Sequence, residues 1–375
     1  MLQSARKATT NQEVAWTPPD CFSGWVRFDF TDDQRMFRDN LRSFLDRECS
    51  PESVRKLWDT ETGRSDVLWG KLAELGILGM RVPEEHGGLG MDDVDLVLLL
   101  EETGRAALPE PIVETAVVGA PLLAELGGAI AARWLPSVAA GEARLAIGHP
   151  LSPVVADAHV AALLLLEREG ALYAVPREDV QLTAQPCSDA SRRLFSVAFQ
   201  PSAETRVGEG AAARARIDAA IDRGALAVAA QQVGLAQRMV EIAVEYAGQR
   251  EQFGKPIGSF QAIKHMLATV QVKTEFARPL VYRAAHALAH REPSRSTDVS
   301  QANAAASEAA CLAAKTALQV HGAIGYTWEV DLHLWMKRAW ALEAAWGSRR
   351  WHRRRIASAV LDGDTAPSFG FSARA

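Results

Sequence analysis

The sequence predicts a mainly α-helical protein, with a small β domain set between an N-terminal helical domain and a C-terminal four-helix bundle. Three observations predict it. After Ala211, apolar residues recur at three- and four-residue steps over long stretches, the period of one helix face. Between Arg144 and Val207 they come instead in short uninterrupted runs with Gly and Pro between them, the texture of strands. Before Gly141, short helical stretches alternate with Gly and Pro breaks. The changes of texture put the domains at 25–143, 144–208 and 209–365, with tails at 1–24 and 366–375.

Thr31 is placed to cap a first helix whose opening turn carries Asp32 and Asp33, acids that complement the positive end of the helix dipole. Met36, Phe37, Leu41, Phe44 and Leu45 then share one face. A second helix runs from Trp69 to Gly76. The loop Val82–Gly90 holds glycines that permit tight turns and carries no chemistry by itself. Asp92 to Gly104 is a helix rich in Leu and Val, and after the breaks at Pro109 and Pro111 short helices continue to about Gly141. Strands are expected at Leu145–Ile147, Val160–Leu166, Ala171–Val175 and Phe195–Phe199. Long helices follow at Ile217–Ala247, mildly interrupted by Gly224 and Gly234, at Ser259–His290 with Ser259 as N-cap, and at Asp298–Val320. Asp331–Trp346 and Ser348–Leu361 complete the set, and antiparallel neighbours of this length form a four-helix bundle.

The chain has 375 residues, 48% of them hydrophobic, and a formal charge of −5. That balance argues against a general nucleic-acid binder. No apolar run approaches the roughly 20 residues needed to span a bilayer, so no membrane segment is expected. Cys21, Cys49, Cys187 and Cys311 lie far apart, with neither metal spacing nor a disulfide ladder, which makes a reducing cytoplasm the default compartment. The first twenty residues lack the apolar core of a signal peptide and read as a mobile tail. His286 and His290 are four apart on a helix, but no third ligand is in reach, so a solvated face is expected and no metal.

Two stretches carry the chemistry. Arg250-Glu251-Gln252-Phe253-Gly254-Lys255-Pro256-Ile257-Gly258 connects two helices and projects an arginine, an amide and a ring from a fixed corner. A guanidinium grips a phosphate through two hydrogen bonds, and a ring stacks on a planar base. The same residues would also suit a polar corner that binds nothing. The second stretch, Gln319-Val320-His321-Gly322-Ala323-Ile324-Gly325-Tyr326, could end a helix with a left-handed glycine or let a ligand approach the bare backbone.

The longer run around the first stretch, YAxxRxQFGKPIGSFQAIKHxLA, closely resembles the signature of acyl-CoA dehydrogenases. The second stretch resembles that family's Gln-x-x-Gly-Gly-x-Gly-Tyr turn, with Ala323 in place of the second glycine. LAELGILGMRVPEEHGGLG and LEETGRAALPEP are similar to its N-terminal helical domain. The resemblance implies the acyl-CoA dehydrogenase fold, FAD as cofactor, an acyl-CoA substrate oxidised at its α and β carbons, and an electron-transfer flavoprotein as acceptor. It also implies that Arg250, Gln252, Phe253, Gln319, Gly322 and Ala323 face the adenosine and pyrophosphate of an FAD held at a subunit interface, chiefly by the neighbouring subunit. The run Arg349–Arg355 would then meet a coenzyme A phosphate or an acidic partner, although helix C-terminal charge and solubility is the commoner role for such a run.

The same resemblance predicts three absences. The family's catalytic glutamate falls at Trp346 in most members and at Gly224 in a second branch, and neither residue can take a proton. Asp222 and Glu343 are the nearest carboxylates, each expected rather as a surface or capping charge. The Thr-Glu-x-x-x-Gly-Ser-Asp loop that cradles the flavin has only Ile147–Ser152 as a counterpart, and the β domain is short. Together these imply the flavin-poor subunit of an α2β2 acyl-CoA dehydrogenase of the kind used on steroid side chains, its partner chain supplying the base. A self-sufficient homo-oligomer with an unconventional base and a non-enzymatic scaffold of the same fold are the alternatives.

Overall fold

The computed structural model describes residues 29–362; the expected tails at 1–24 and 366–375, and Cys21, lie outside the described residues. Helix α1 (Asp32–Glu48) starts with a complete capping box: Gln34 N donates to Thr31 Oγ1 at 3.2 Å, and Thr31 N donates to Gln34 Oε1 at 2.9 Å. Helix α2 (Pro51–Trp58) is an addition to the expected set. Its Ser50 cap and N-terminal proline are visible in the sequence, but eight residues give too little period to register. After α3 (Asp66–Glu74) comes α4 (Asp93–Arg105), capped by Asp92. A π-helical segment, Val113–Gly119, then leads into α5 (Ala120–Leu126) and α6 (Gly128–Ala139).

The β region contains two small sheets. The first runs β1 (Leu145–Gly148), β3 (Leu163–Arg168), β4 (Ala171–Pro176), β7 (Arg206–Gly208); the second runs β2 (Val155–Ala156), β6 (Leu194–Phe199), β5 (Val180–Gln185). Only the β1–β3 pair is parallel. β3 begins at Leu163, so Val160 falls outside it. Leu163 and Leu165 join the main core while Leu164 and Leu166 join a second, smaller one, which is why this strand reads as an unbroken apolar run. Strands β2, β5 and β7 escape sequence reading because two are only two or three residues long and β5 buries Val180 alone.

Helix α7 (Gly210–Gln249) has 40 residues, about 60 Å at 1.5 Å per residue. Neither Gly224 nor Gly234 interrupts it. Each marks a place where another part of the chain passes too close for a side chain. A β-carbon at Gly234 would run into Glu101 O, and one at Gly104 into Gln231, so α4 and α7 cross backbone against backbone through two reciprocal glycines. Helix α8 (Gln261–Ala289) starts two residues later than expected, and Ser259 does not cap it. Ser259 ends a 3-10 turn and its Oγ donates to Pro256 O at 2.7 Å.

Helices α9 (Arg295–His321), α10 (Leu332–Glu343) and α11 (Arg349–Leu361) complete the bundle; α7, α8 and α9 pack on one another, α10 lies on α7 and α9, and α11 on α9. The Arg349–Arg355 run occupies the first turns of α11, so it is not C-terminal helix charge. Buried ion pairs tie the β region to the helices. Arg338 of α10 binds Asp189 and donates to Leu108 O at 2.8 Å, and Arg64 binds Asp157. Among the described residues no helix is long and apolar enough to cross a membrane.

Candidate functional site

Arg250 ends α7, and the connector after it folds as a hairpin of β8 (Glu251–Gln252) and β9 (Lys255–Pro256). Its two turn residues, Phe253 (φ 56°) and Gly254 (φ 75°), both have positive φ, the pattern of a type I′ turn. Such a turn favours Asn or Gly. A bulky ring there costs on the order of 1–3 kcal/mol, strain that collects at ligand clamps. The Phe253 ring is 92% exposed. Arg250 and Gln252 are exposed beside it, and neither side chain has a hydrogen-bond partner among the described residues.

The second stretch sits at the same end of the bundle. His321, the last residue of α9, stacks on Tyr246 of α7 with ring centroids 4.3 Å apart. Gly322 (φ 65°, ψ −139°) is not in the left-handed helical conformation of a simple C-cap; the chain runs on as a 3-10 helix to Tyr326. A β-carbon built at Gly322 meets nothing within 4 Å, so the turn presents open backbone, with Gln319 and Ala323 exposed on either side. A free guanidinium, a free amide and a bare glycine turn offer donors to a nucleotide's pyrophosphate, and an exposed ring offers adenine a stacking face. This end of the chain therefore fits one half of an FAD.

The other positions singled out from sequence lie about 40 Å away along α7, at Gly224. Trp346 follows α10, with φ 56° and only 3% exposure. Its ring lies where a β-carbon of Gly224 would be, and it stacks on His149 at 4.4 Å between centroids and 12° between planes. His149 belongs to Ile147–Ser152, the counterpart of the flavin-cradling loop. The two places where a base could stand and the segment that would hold the flavin ring thus close on one another. What remains is a small, half-open cavity of about 110 Å³, lined by Glu114, His149, Ser152, Arg192 and Trp346 among others. This end does not fit a flavin ring.

Asp222 and Glu343 are both engaged elsewhere. Asp222 accepts from Ser296 Oγ at 2.6 Å and pairs with Arg355 at 2.5 Å. Glu343 pairs with Arg349 at 3.0 Å, accepts from Cys311 Sγ at 3.4 Å, and lines a separate cleft on the α11 side. Glu114 is one of the buried carboxyls, with Glu110 nearby, that sequence reading missed. It sits in the π-helical segment, faces the Trp346 cavity, and burial raises its pKa against the pull of Arg192. Its signal was present as the single charge in the run Ile112–Val118. His286 and His290 stack on each other at 4.0 Å, His286 meets Glu292 at 3.0 Å, and no metal-binding group occurs among the described residues.

Burial lowers the His149 pKa to about 4, so the ring is neutral at physiological pH. Between pH about 6.5 and about 4 only the unfolded chain takes up this proton, and the fold weakens as acid is added. His333 and His352, also lowered to about 4, act in the same direction. Glu101 and Glu110, raised to about 7 by burial, act in the opposite one. Comparing wild type with His149→Phe cancels everything but the imidazole. From pH 7.5 to 4.5 the wild type is expected to lose about 1–3 kcal/mol more unfolding free energy than the variant, read from urea midpoints.

Residues 31–142 match the acyl-CoA dehydrogenase N-terminal domain and residues 214–361 the acyl-CoA dehydrogenase C-terminal domain. The chain is 34% identical over 335 residues to the acyl-CoA dehydrogenase IpdE2 of Mycobacterium tuberculosis, covering 88% of this chain and 98% of that one. It is 33% identical to the acyl-CoA dehydrogenase FadE34 of the same organism, covering 86% of this chain but 47% of FadE34. Among solved structures, the ChsE4-ChsE5 complex from Mycobacterium tuberculosis matches with a TM-score of 0.80 at 27% identity, over 89% of this chain and 99% of that one.

Proposed function

The chain belongs to the acyl-CoA dehydrogenase family, FAD-dependent oxidoreductases that act on acyl-CoA thioesters, and from that premise we propose that it is the flavin-poor subunit of a heteromeric member. The observation that carries this reading is the Trp346–His149 stack against Gly224. It leaves the chain without a carboxylate at either family base position and without room for a flavin ring. The opposite end of α7 keeps Arg250, Gln252, Phe253, Gln319 and Gly322 open toward a nucleotide. In this reading a partner subunit, in an α2β2 assembly, holds the flavin and the base, and this chain grips the adenosine end. When bound, FAD would supply the acceptor for the hydride leaving the substrate, and an electron-transfer flavoprotein is the proposed electron acceptor.

Two likenesses support the assembly. The ChsE4-ChsE5 structure is itself a complex of two chains. FadE34 is about twice the length that this chain matches, as expected of two such subunits joined in one polypeptide. A steroid side-chain thioester is the proposed substrate class, carried over from the motif resemblance to the α2β2 dehydrogenases used on steroid side chains. The cytoplasm is the proposed compartment.

Purified alone, the chain is expected to be colourless and inactive; purified with its partner dehydrogenase, it should form a yellow, active assembly. In that assembly Glu343→Gln and Glu114→Gln should leave turnover within about twofold, whereas removing a true base costs about 10²–10⁴-fold. A yellow, active homo-oligomer of this chain alone would sink the proposal. Its buried carboxyl, Glu114, favours a second reading as a self-sufficient enzyme. Loss of turnover in Glu114→Gln with the fold intact would select that reading.

A further inference from the structure

A groove of about 650 Å³ opens between the start of α4, the first turns of α7 and the link from α8 to α9. That volume is within the usual range for small-molecule sites, about 300–1,000 Å³. Five arginines line it (Arg81, Arg216, Arg223, Arg291 and Arg295) against three acids. The acids are already engaged. Asp93 pairs with Arg81 at 3.4 Å, Glu125 with Arg223, and Asp92 caps α4 through the amides of Val94 and Asp95. Among the described residues Arg216, Arg291 and Arg295 have no carboxylate partner; Arg295 donates only to backbone carbonyls.

One further observation concerns the groove's edge. Arg291 stands in left-handed conformation at φ 53° directly after α8. Its N–H donates to Leu288 O at 3.1 Å, and that of Glu292 to Ala287 O at 2.9 Å, the two bonds of a Schellman motif. Glycine is the residue that fits this position without strain. An arginine there is held at the groove's edge against the backbone's preference. The α7 wall beside it is Ala212, Ala215 and Ala219, which leave the space open.

We propose that this groove binds a phosphate-bearing small molecule, a linear polyphosphate or the phosphate chain of a nucleotide. Guanidinium forks match phosphate oxygens two at a time, and here three without a carboxylate partner, Arg216, Arg291 and Arg295, share one groove on a chain whose net charge is −5. The groove is not the nucleotide clamp described above, because Arg216 and Arg250 are separated by about 50 Å of α7. The inference therefore stands independently of the proposed subunit role.

The test is titration calorimetry on the full chain, alone and in its complex, with inorganic tripolyphosphate and with ATP. Saturable binding of one molecule per chain is expected. Equal affinities would identify the phosphate chain as what is recognised, and a preference of tenfold or more for ATP would add the nucleoside. Arg216→Ser and Arg291→Gly should each weaken binding about tenfold, the loss of one charge-assisted contact. Arg291→Gly should also raise the melting temperature, since glycine relieves the left-handed strain, so weaker binding could not be blamed on misfolding. Arg47→Ser, exposed on α1 and outside the groove, should bind as wild type. Absence of saturable binding to both probes, or wild-type affinity in Arg291→Gly, would overturn the proposal.

Discussion

Trp346→Ala is expected to destabilise the chain by about 3–5 kcal/mol, among the largest effects a single core truncation produces. The indole is 3% exposed and fills the space above Gly224, so its removal leaves a cavity that α7 and α10 cannot close without moving. The adjoining chamber, lined by Glu114, His149 and Arg192, would be joined to it. The converse change is equally informative. Gly224→Ala pushes a methyl into the ring and is expected to cost about 1–3 kcal/mol by overpacking. Combined, the two should be far from additive, because the methyl then occupies part of the vacated space. A coupling of about 1–3 kcal/mol is expected in urea titrations of the four proteins. Additivity within about 0.5 kcal/mol would mean that Trp346 and Gly224 do not share the space this structure gives them.

The second large effect concerns the exposed end of the bundle. In the assembled enzyme, Arg250→Ala with Phe253→Ala should weaken flavin retention about a hundredfold or more, from one charge-assisted fork and one stacking ring. The fold should not suffer, because both side chains are exposed and Phe253 makes only an edge contact with Phe260, 6.1 Å between ring centroids. Stability should even rise slightly for Phe253→Gly, which frees a type I′ turn from a bulky residue. Fluorescence of released FAD during dilution measures the effect. Unchanged retention would show that the hairpin is only a corner between helices.

The fold was legible where the sequence repeats a period long enough to be distinctive. Helices α7 to α11 and strands β1, β3, β4 and β6 appear close to where the pattern puts them. Short elements were not legible. Helix α2 has eight residues, about two turns, and β2 and β7 have two and three, too few repeats of either period to stand out. Boundaries failed where the local geometry depends on hydrogen bonds rather than on composition. Ser259 has the chemistry of a cap, but its hydroxyl turns back to Pro256 O.

The candidate site divides in the same way. The hairpin and the Gln319 turn are local in sequence and could be read as motifs. The chamber is not local, because Trp346, Gly224, His149 and Glu114 come from four segments. Sequence placed two of these four as lost base positions, yet their contact could be seen only in three dimensions. Glycines were misjudged for the same reason. Gly224 and Gly234 resemble weak points of a helix, and the structure shows them as the places where α7 admits its closest neighbours.

The reciprocal glycine crossing has a mechanical corollary. Side chains between two helices act as a compliant layer that can take up a shift by changing rotamer. At Gly104 and Gly234 that layer is missing, so α4 and α7 bear on each other rigidly. A push delivered to the N-terminal helices by a docking protein would travel undamped into a 40-residue strut whose far tip carries the hairpin.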